Sequence, residues 1–185
     1  MKWNVFARLA LLILFSASTA QVSLAQDEGL ANTLWRTQKE SGWKTAATCK
    51  KSPTSIVAFT KCTGKYTGLC GNIRALNPND HQLQATDLSK LTDSLNSHSE
   101  LRSRKVIGIK IFANLKARGD MLIGDGYSPC RGQHGKICMR RTGNRQLEQW
   151  ACLPGVGCDA EPGLFCTPKY IWTRVDGVPK GWAGN

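Results

Sequence analysis

From Ser55 to Cys62 the chain alternates with the two-residue period of a strand. Ile56, Ala58 and Thr60 fall on one face, Val57 and Phe59 on the other. The run is rich in β-branched and aromatic residues, which suit a pleated, half-buried surface. Thr63-Gly64-Lys65-Tyr66-Thr67-Gly68 carries turn chemistry, and Leu69 to Leu76 returns as a second strand, so the pair predicts a hairpin. Asn77-Pro78-Asn79-Asp80 is a further turn. The period changes twice. Leu30, Ala31, Leu34 and Trp35 are spaced for a short amphipathic helix within Glu28 to Glu40, with Gly42 as its stop. Leu88, Leu91 and Leu95 predict another helix, with Thr86 at its cap. The basic run Leu101 to Lys105 then passes into Val106 to Phe112, an apolar strand-like run interrupted by one glycine, Gly108, that joins two halves of one domain.

Met121 to Gly124 predicts a short strand ending at an Asp125-Gly126 turn. Lys136 to Arg141 and Arg145 to Cys152 flank Thr142-Gly143-Asn144, a second hairpin. Leu153 to Gly163 is a loop rich in Gly and Pro, and Tyr170 to Val175 reads as the last strand. Asp176 to Asn185 is a Gly- and Pro-containing tail expected to fray. Several short strands separated by turns predict a mainly β domain, an antiparallel barrel or sandwich with one or two short helices.

The first residues belong to a different kind of segment. Lys2 and Arg8 precede an uncharged apolar run from Leu9 to Phe15, and small-residue cleavage sites follow at Ala20 and Ala25. This is the pattern of a signal peptide, and the run is too short for a hydrocarbon core of roughly 30 Å. The expected organisation is a signal peptide over 1–25, a helical segment over 26–41, a β domain over 42–176 and a flexible tail over 177–185. The expected location is the periplasm or outside the cell, with no transmembrane segment after cleavage. The eight cysteines, Cys49, Cys62, Cys70, Cys130, Cys138, Cys152, Cys158 and Cys166, all follow the cleavage sites. An even count in an exported chain reads as disulfides, and no Cys-x-x-Cys points to zinc or to a redox pair. Cys62 and Cys70 are predicted partners, because a tight hairpin brings them together.

The formal net charge is +12, and removing Lys2 and Arg8 leaves +10. Such a surface is drawn to anionic partners. Arg131, Lys136, Arg140, Arg141 and Arg145 form one cluster, without the interleaved aromatics or the motif of a nucleic-acid surface. An anionic envelope component is the expected partner, and nucleic acid is not. No Gly-x-Ser-x-Gly, His-Glu-x-x-His or phosphate loop occurs, and His81, His98 and His134 lie in polar stretches without a marked nucleophile. The chain therefore reads as a non-enzyme without cofactor or metal. Arg102 and Arg104, two apart, would point the same way on extended chain and offer forked donors to an anionic head group. Tyr127, Phe59, Trp150 and Trp172 are the aromatics expected to line a cavity if the barrel is hollow.

Trp43-Lys44-Thr45, Cys62, Leu69-Cys70-Gly71-Asn72-Ile73, Asp93, Asn96, Leu101-Arg102-Ser103-Arg104-Lys105-Val106-Ile107-Gly108, Gly126-Tyr127-Ser128-Pro129 and Trp172-Thr173-Arg174-Val175 occur in that order. In order, these pieces resemble the exported bacterial family DUF2147, itself similar to the lipocalin-type calycins. Lys105 stands where the family usually has proline. The resemblance implies a small, disulfide-tied lipocalin-like barrel that binds a small hydrophobic or amphipathic molecule. The alternative is a basic, disulfide-stabilised envelope or secreted interaction protein with no pocket. The lipocalin pattern also implies a tryptophan on the first strand under an arginine near the last, here Trp43 and Arg174, closing the barrel with a cation–π contact worth about 1–2 kcal/mol.

Overall fold

The computed structural model describes residues 29–37, 54–80, 87–160 and 165–184. Eight strands close into an antiparallel barrel in which each strand pairs with its sequence neighbours and the last returns to the first. They are β1 (Thr33–Arg36), β2 (Ser55–Lys61), β3 (Leu69–Leu76), β4 (Lys110–Arg118), β5 (Met121–Ser128), β6 (Gln133–Gly143), β7 (Gln146–Cys152) and β8 (Tyr170–Val175). Closure removes every sheet edge. No helix among the described residues is long and apolar enough to cross a membrane.

Four segments depart from the predicted elements. Only Gly29 and Leu30 are helical in the stretch read as an amphipathic helix, and Thr33 to Arg36 is β1. Asn32 takes a φ of 60°, which ends the turn, and the Thr33 hydroxyl donates to the Leu30 carbonyl. Thr33 and Trp35 are then buried while Arg36 is exposed, because β1 gains ladders to both β2 and β8. Around Leu88 the helix reduces to one 3₁₀ turn, Leu88–Lys90, capped by Asp87 instead of Thr86. Thr86 itself lies outside the described residues. The strand expected over Val106 to Phe112 begins later, at Lys110, because Gly108 turns the chain at a φ of 96°. Conversely, β5 runs straight through Asp125-Gly126, whose partners are Lys136 and Gly135. β3 and β8 take their predicted bounds.

The pleat sorts the core into two layers. One cluster, with Phe59, Phe112, Ile137, Met139, Leu147 and Trp172, fills the inside of the barrel. The other, with Cys138, Trp150, Cys152, Cys158 and Cys166, lies on the outer face of β6 and β7. There Cys138–Cys158 and Cys152–Cys166 tie the 153–169 connection to the wall, their sulfurs approaching to 3.9 Å between Cys138 and Cys152. Cys62–Cys70 closes the β2–β3 hairpin as its geometry predicts. Each bridge stabilises the fold by about 2–4 kcal/mol, mainly by restricting the unfolded chain. Cys130 is also disulfide-bonded, and Cys49 lies outside the described residues.

Trp43, expected beneath Arg174, lies outside the described residues. The residue opposite Arg174 on β1 is Trp35, which is fully buried and donates its indole N–H to the Thr33 hydroxyl at 2.8 Å. The tail does not hang free in its described part. Ala183 exchanges both backbone hydrogen bonds with Leu76, at 3.0 and 3.1 Å.

Candidate functional site

The two ends of the barrel differ. One is shut by the turn at Leu30 and by the tight hairpins after β2, β4 and β6. The other, the mouth, carries the described parts of the connections after β3 and β7 and the β5–β6 turn. The β3–β4 connection, 77–109, folds against that turn. Gly132 has a φ of 64°, and a Cβ there would stand 1.7 Å from the Leu95 carbonyl oxygen, so only glycine allows the approach.

A buried carboxylate holds this connection. Asp93 is 0% exposed. Its Oδ1 accepts from the Tyr127 hydroxyl at 2.6 Å, and its Oδ2 accepts from Asn96 Nδ2 at 2.7 Å and from Arg104 Nε and Nη2 at 3.0 and 2.8 Å. Asn96 Nδ2 also donates to the Tyr127 oxygen at 2.8 Å. The Asp93 backbone N–H bonds to the Arg104 carbonyl, and the Arg104 guanidinium lies 5.4 Å from the Tyr127 ring centre. Charge-assisted bonds of this kind satisfy a carboxylate that burial would otherwise make costly. Arg102 joins from outside, donating Nε to the Asn96 carbonyl at 2.8 Å.

Burial, and then the hydrogen bond to and charge of Asp93, push the Tyr127 hydroxyl up to about 12 from 10.0, against the opposing pull of Arg104 and Asn96. Above its ordinary range the unfolded chain releases this proton while the folded chain keeps it. Stability from this group is therefore complete below about pH 10 and falls as pH rises towards 12, by on the order of 2 kcal/mol. Chemical denaturation at a series of alkaline pH values should show this slope, and Tyr127→Phe should flatten it. An unchanged slope in the variant would assign the loss to other groups.

The predicted site residues separate into three places. Arg104 and Tyr127 meet at Asp93, with Arg102 beside them, but on turns rather than on one extended run, so both arginines already hold protein oxygens. Tyr127 pairs with His134, their ring centres 4.7 Å apart, on the face of the wall opposite Gly126 and Ile137. Trp150 sits in the outer cluster under the 153–169 connection, with Lys169 over its ring at 5.4 Å. Phe59 and Trp172 do face the barrel interior, where Phe112 joins them. The ring centres are 6.0 Å apart for Phe59–Phe112, 5.5 Å for Phe112–Trp172 and 6.5 Å for Phe59–Trp172. Of the histidines, His98 pairs with Glu100 at 3.5 Å, and His81 lies outside the described residues. Lys136 is exposed; Arg140 pairs with Asp120 at 2.8 Å, and Arg145 with Asp176 at 3.0 Å, which holds the Asp176 carboxyl below its usual range.

Sequence reasoning left two features out of the site. Asp93 and Asn96 sit in a polar stretch whose only signal is their place in the ordered pieces that resemble the family. Gln149 alternates with Leu147 and Ala151 on β7, and that face belongs to the inner cluster, so its amide points into the barrel. Near the mouth, the inward positions of β5, β6 and β7 are Gly126, Gly135 and Ala151, none larger than one carbon. Gly126 pairs directly with Phe112, and the Ile137 side chain fills the space beside it.

The model of the family described as "Uncharacterized protein conserved in bacteria (DUF2147)" matches residues 35–161. The chain belongs to this family. The match begins at Trp35, the buried tryptophan of β1, and spans the barrel from there into the 153–169 connection of this DUF2147 protein. No curated protein matches the chain. Among solved structures, it is similar to protein HP1028 of the human pathogen Helicobacter pylori, described as belonging to the lipocalin family. The TM-score is 0.53 at 18% identity, covering 78% of this chain and 82% of that one. At that identity the likeness is one of fold, and it is the lipocalin-like barrel that the two share.

Proposed function

We propose that this protein is an exported lipocalin-like carrier that takes a small hydrophobic or amphipathic molecule through the barrel mouth. The observation that supports the reading is the closed eight-stranded barrel of lipocalin-like fold, with three aromatic rings, Phe59, Phe112 and Trp172, forming a floor in its interior. An eight-stranded barrel is wide enough either to be filled by side chains or to hold one small ligand, and the lipocalin-like fold supports the second. Export is supported by the signal-like N-terminus and by the disulfides, which persist in oxidising compartments.

The test is native mass spectrometry on protein purified from its own envelope. A discrete extra mass that disappears on denaturation is expected, and Ala151→Trp, which narrows the mouth, should lose it while keeping the melting temperature. A bare mass for the parent protein overturns the carrier.

One observation favours a second reading, a basic disulfide-stabilised interaction protein. Leu153 and Phe165 are 58% and 53% exposed, side by side through a 3.0 Å backbone hydrogen bond, next to the Cys152–Cys166 disulfide. With a bare mass, salt-sensitive retention on envelopes that is lost in Leu153→Ser and Phe165→Ser would establish that role.

A further inference from the structure

Much of the basic cluster singled out in the sequence is already engaged. Arg140 and Arg145 hold Asp120 and Asp176, and Arg141 turns to the Gly143 carbonyl. Cations without a carboxylate gather elsewhere, on the outer wall of β3 and β4. Ala58, Asn72 and Lys110 pair across β2, β3 and β4. Their chain neighbours Val57, Phe59, Ile73, Ile109 and Ile111 belong to the inner cluster, so these three face outward. Arg74 is exposed beside them, and Lys116 lies against Gly68 in the turn that carries Tyr66. The ammonium groups of Lys110 and Lys65 stand 4.0 and 5.3 Å from the Tyr66 ring centre. None of Lys65, Arg74, Lys110 and Lys116 pairs with a carboxylate among the described residues. Asp125, on the neighbouring strand β5, accepts from Asn114 Nδ2 at 2.7 Å.

Arg74 also lines a cleft of about 370 Å³ with Ala58, Asn72, Ile107 and Gly108, a volume in the range of small-ligand sites. The cleft combines a forked guanidinium and an amide with the apolar side chains of Ala58 and Ile107. A sugar ring that carries an acid has the same mixture, C–H faces beside a charged, hydrogen-bonding rim. We propose that this wall binds an acidic polysaccharide, with one sugar seated in the cleft, its acid on Arg74, and further acids of the chain on Lys110 and Lys116. Tyr66 holds Lys65 and Lys110 in place, which reduces the side-chain freedom lost on binding. A lipid bilayer fits this wall less well, because docking on a bilayer draws on apolar anchors. The large exposed apolar side chains of the described residues, Leu95, Leu153, Phe165 and Ile171, lie on β8 and on the connections after β3 and β7. The site is outside the barrel and does not depend on whether a molecule is carried within.

The experiment measures binding of the full mature chain to fluorescently labelled polygalacturonate, which carries one carboxylate per sugar. Binding that weakens with added salt is expected. The triple variant Arg74→Gln, Lys110→Gln, Lys116→Gln should lose about tenfold in affinity, since three exposed charge contacts of a few-fold each multiply to that factor. A second triple variant, Arg140→Gln, Arg145→Gln, Lys169→Gln, removes the same charge from cations that already hold Asp120, Asp176 and Glu148, and should stay within about twofold of the parent. Ala58→Trp fills the cleft without changing the charge. It should also lose about tenfold for polygalacturonate while keeping its affinity for inorganic polyphosphate, which has no sugar to seat. Melting curves check that each variant is folded. Equal losses in the two triple variants would mean that net charge alone attracts the polymer, and would overturn the proposal. Unchanged binding in folded Ala58→Trp, no binding by the parent chain, or a preference of the parent for phosphatidylglycerol vesicles over polygalacturonate would overturn it as well.

Discussion

Asp93→Ala is expected to lower the melting temperature by about 10 °C, corresponding to a loss of about 3 kcal/mol in a domain of this size. The carboxylate is fully buried and receives bonds from Tyr127, Asn96 and Arg104. Deleting it strands three sets of donors at once. Arg104 keeps 37% of its side-chain exposure and regains water, which holds the cost at the lower end of the range for broken buried pairs. The Tyr127 hydroxyl and the Asn96 amide have no such escape. The loss should fall first on the β3–β4 connection, seen as faster amide exchange at Asp93, Asn96 and Arg104, whose backbone bonds depend on the same fold. Asp93→Asn keeps the shape and one acceptor, and should recover part of the loss. A melting temperature within about 2 °C of the parent would mean that the network orders the connection without stabilising the barrel.

Phe112→Ala should cost about 3–5 kcal/mol, read from denaturant unfolding followed by tryptophan fluorescence. Phe112 packs against both Phe59 and Trp172 in the barrel interior and is 5% exposed. Its ring occupies the space that Gly71 leaves open, where a Cβ would come within 2.6 Å of Phe112 Cδ2. Truncation removes a buried ring and leaves a void whose walls, held by hydrogen-bonded strands on every side, collapse only partly. Under the carrier proposal the same variant deepens the interior and should shift the bound mass towards longer tails. A cost under about 1.5 kcal/mol would show that the three rings are loosely held and do not form a floor.

Period and turn chemistry were sufficient where a strand's neighbours are local. β2 and β3 are joined by a seven-residue connection and a disulfide, and both lie where the alternation places them. The stretch around Trp35 was not legible. Leu30, Ala31, Leu34 and Trp35 satisfy a helical period, and only ladders to β2 and to β8, at the other end of the chain, make Thr33 to Arg36 a strand. Gly108 and Gly126 show the same limit in opposite senses. Gly108 breaks an apolar run at positive φ, while Gly126 continues a strand because Ile137 fills the space beside it.

By itself the sequence determined the mainly β class, the bounds of β3 and β8, the family, and the cysteines available for bridging. Local periodicity, turn residues and composition act over a few residues, and these properties need no more. The tertiary structure alone decided which side of the wall each residue faces. Closure of the barrel sets the parity of every strand, and one residue of register sends a side chain to the opposite face. That parity turned Trp150 outward, set Tyr127 on the face opposite Gly126, packed Phe112 against Phe59 and Trp172, and placed Gln149 on the inward face. It also brought Asp93 to Tyr127 across 34 residues of chain, a contact that no local pattern records.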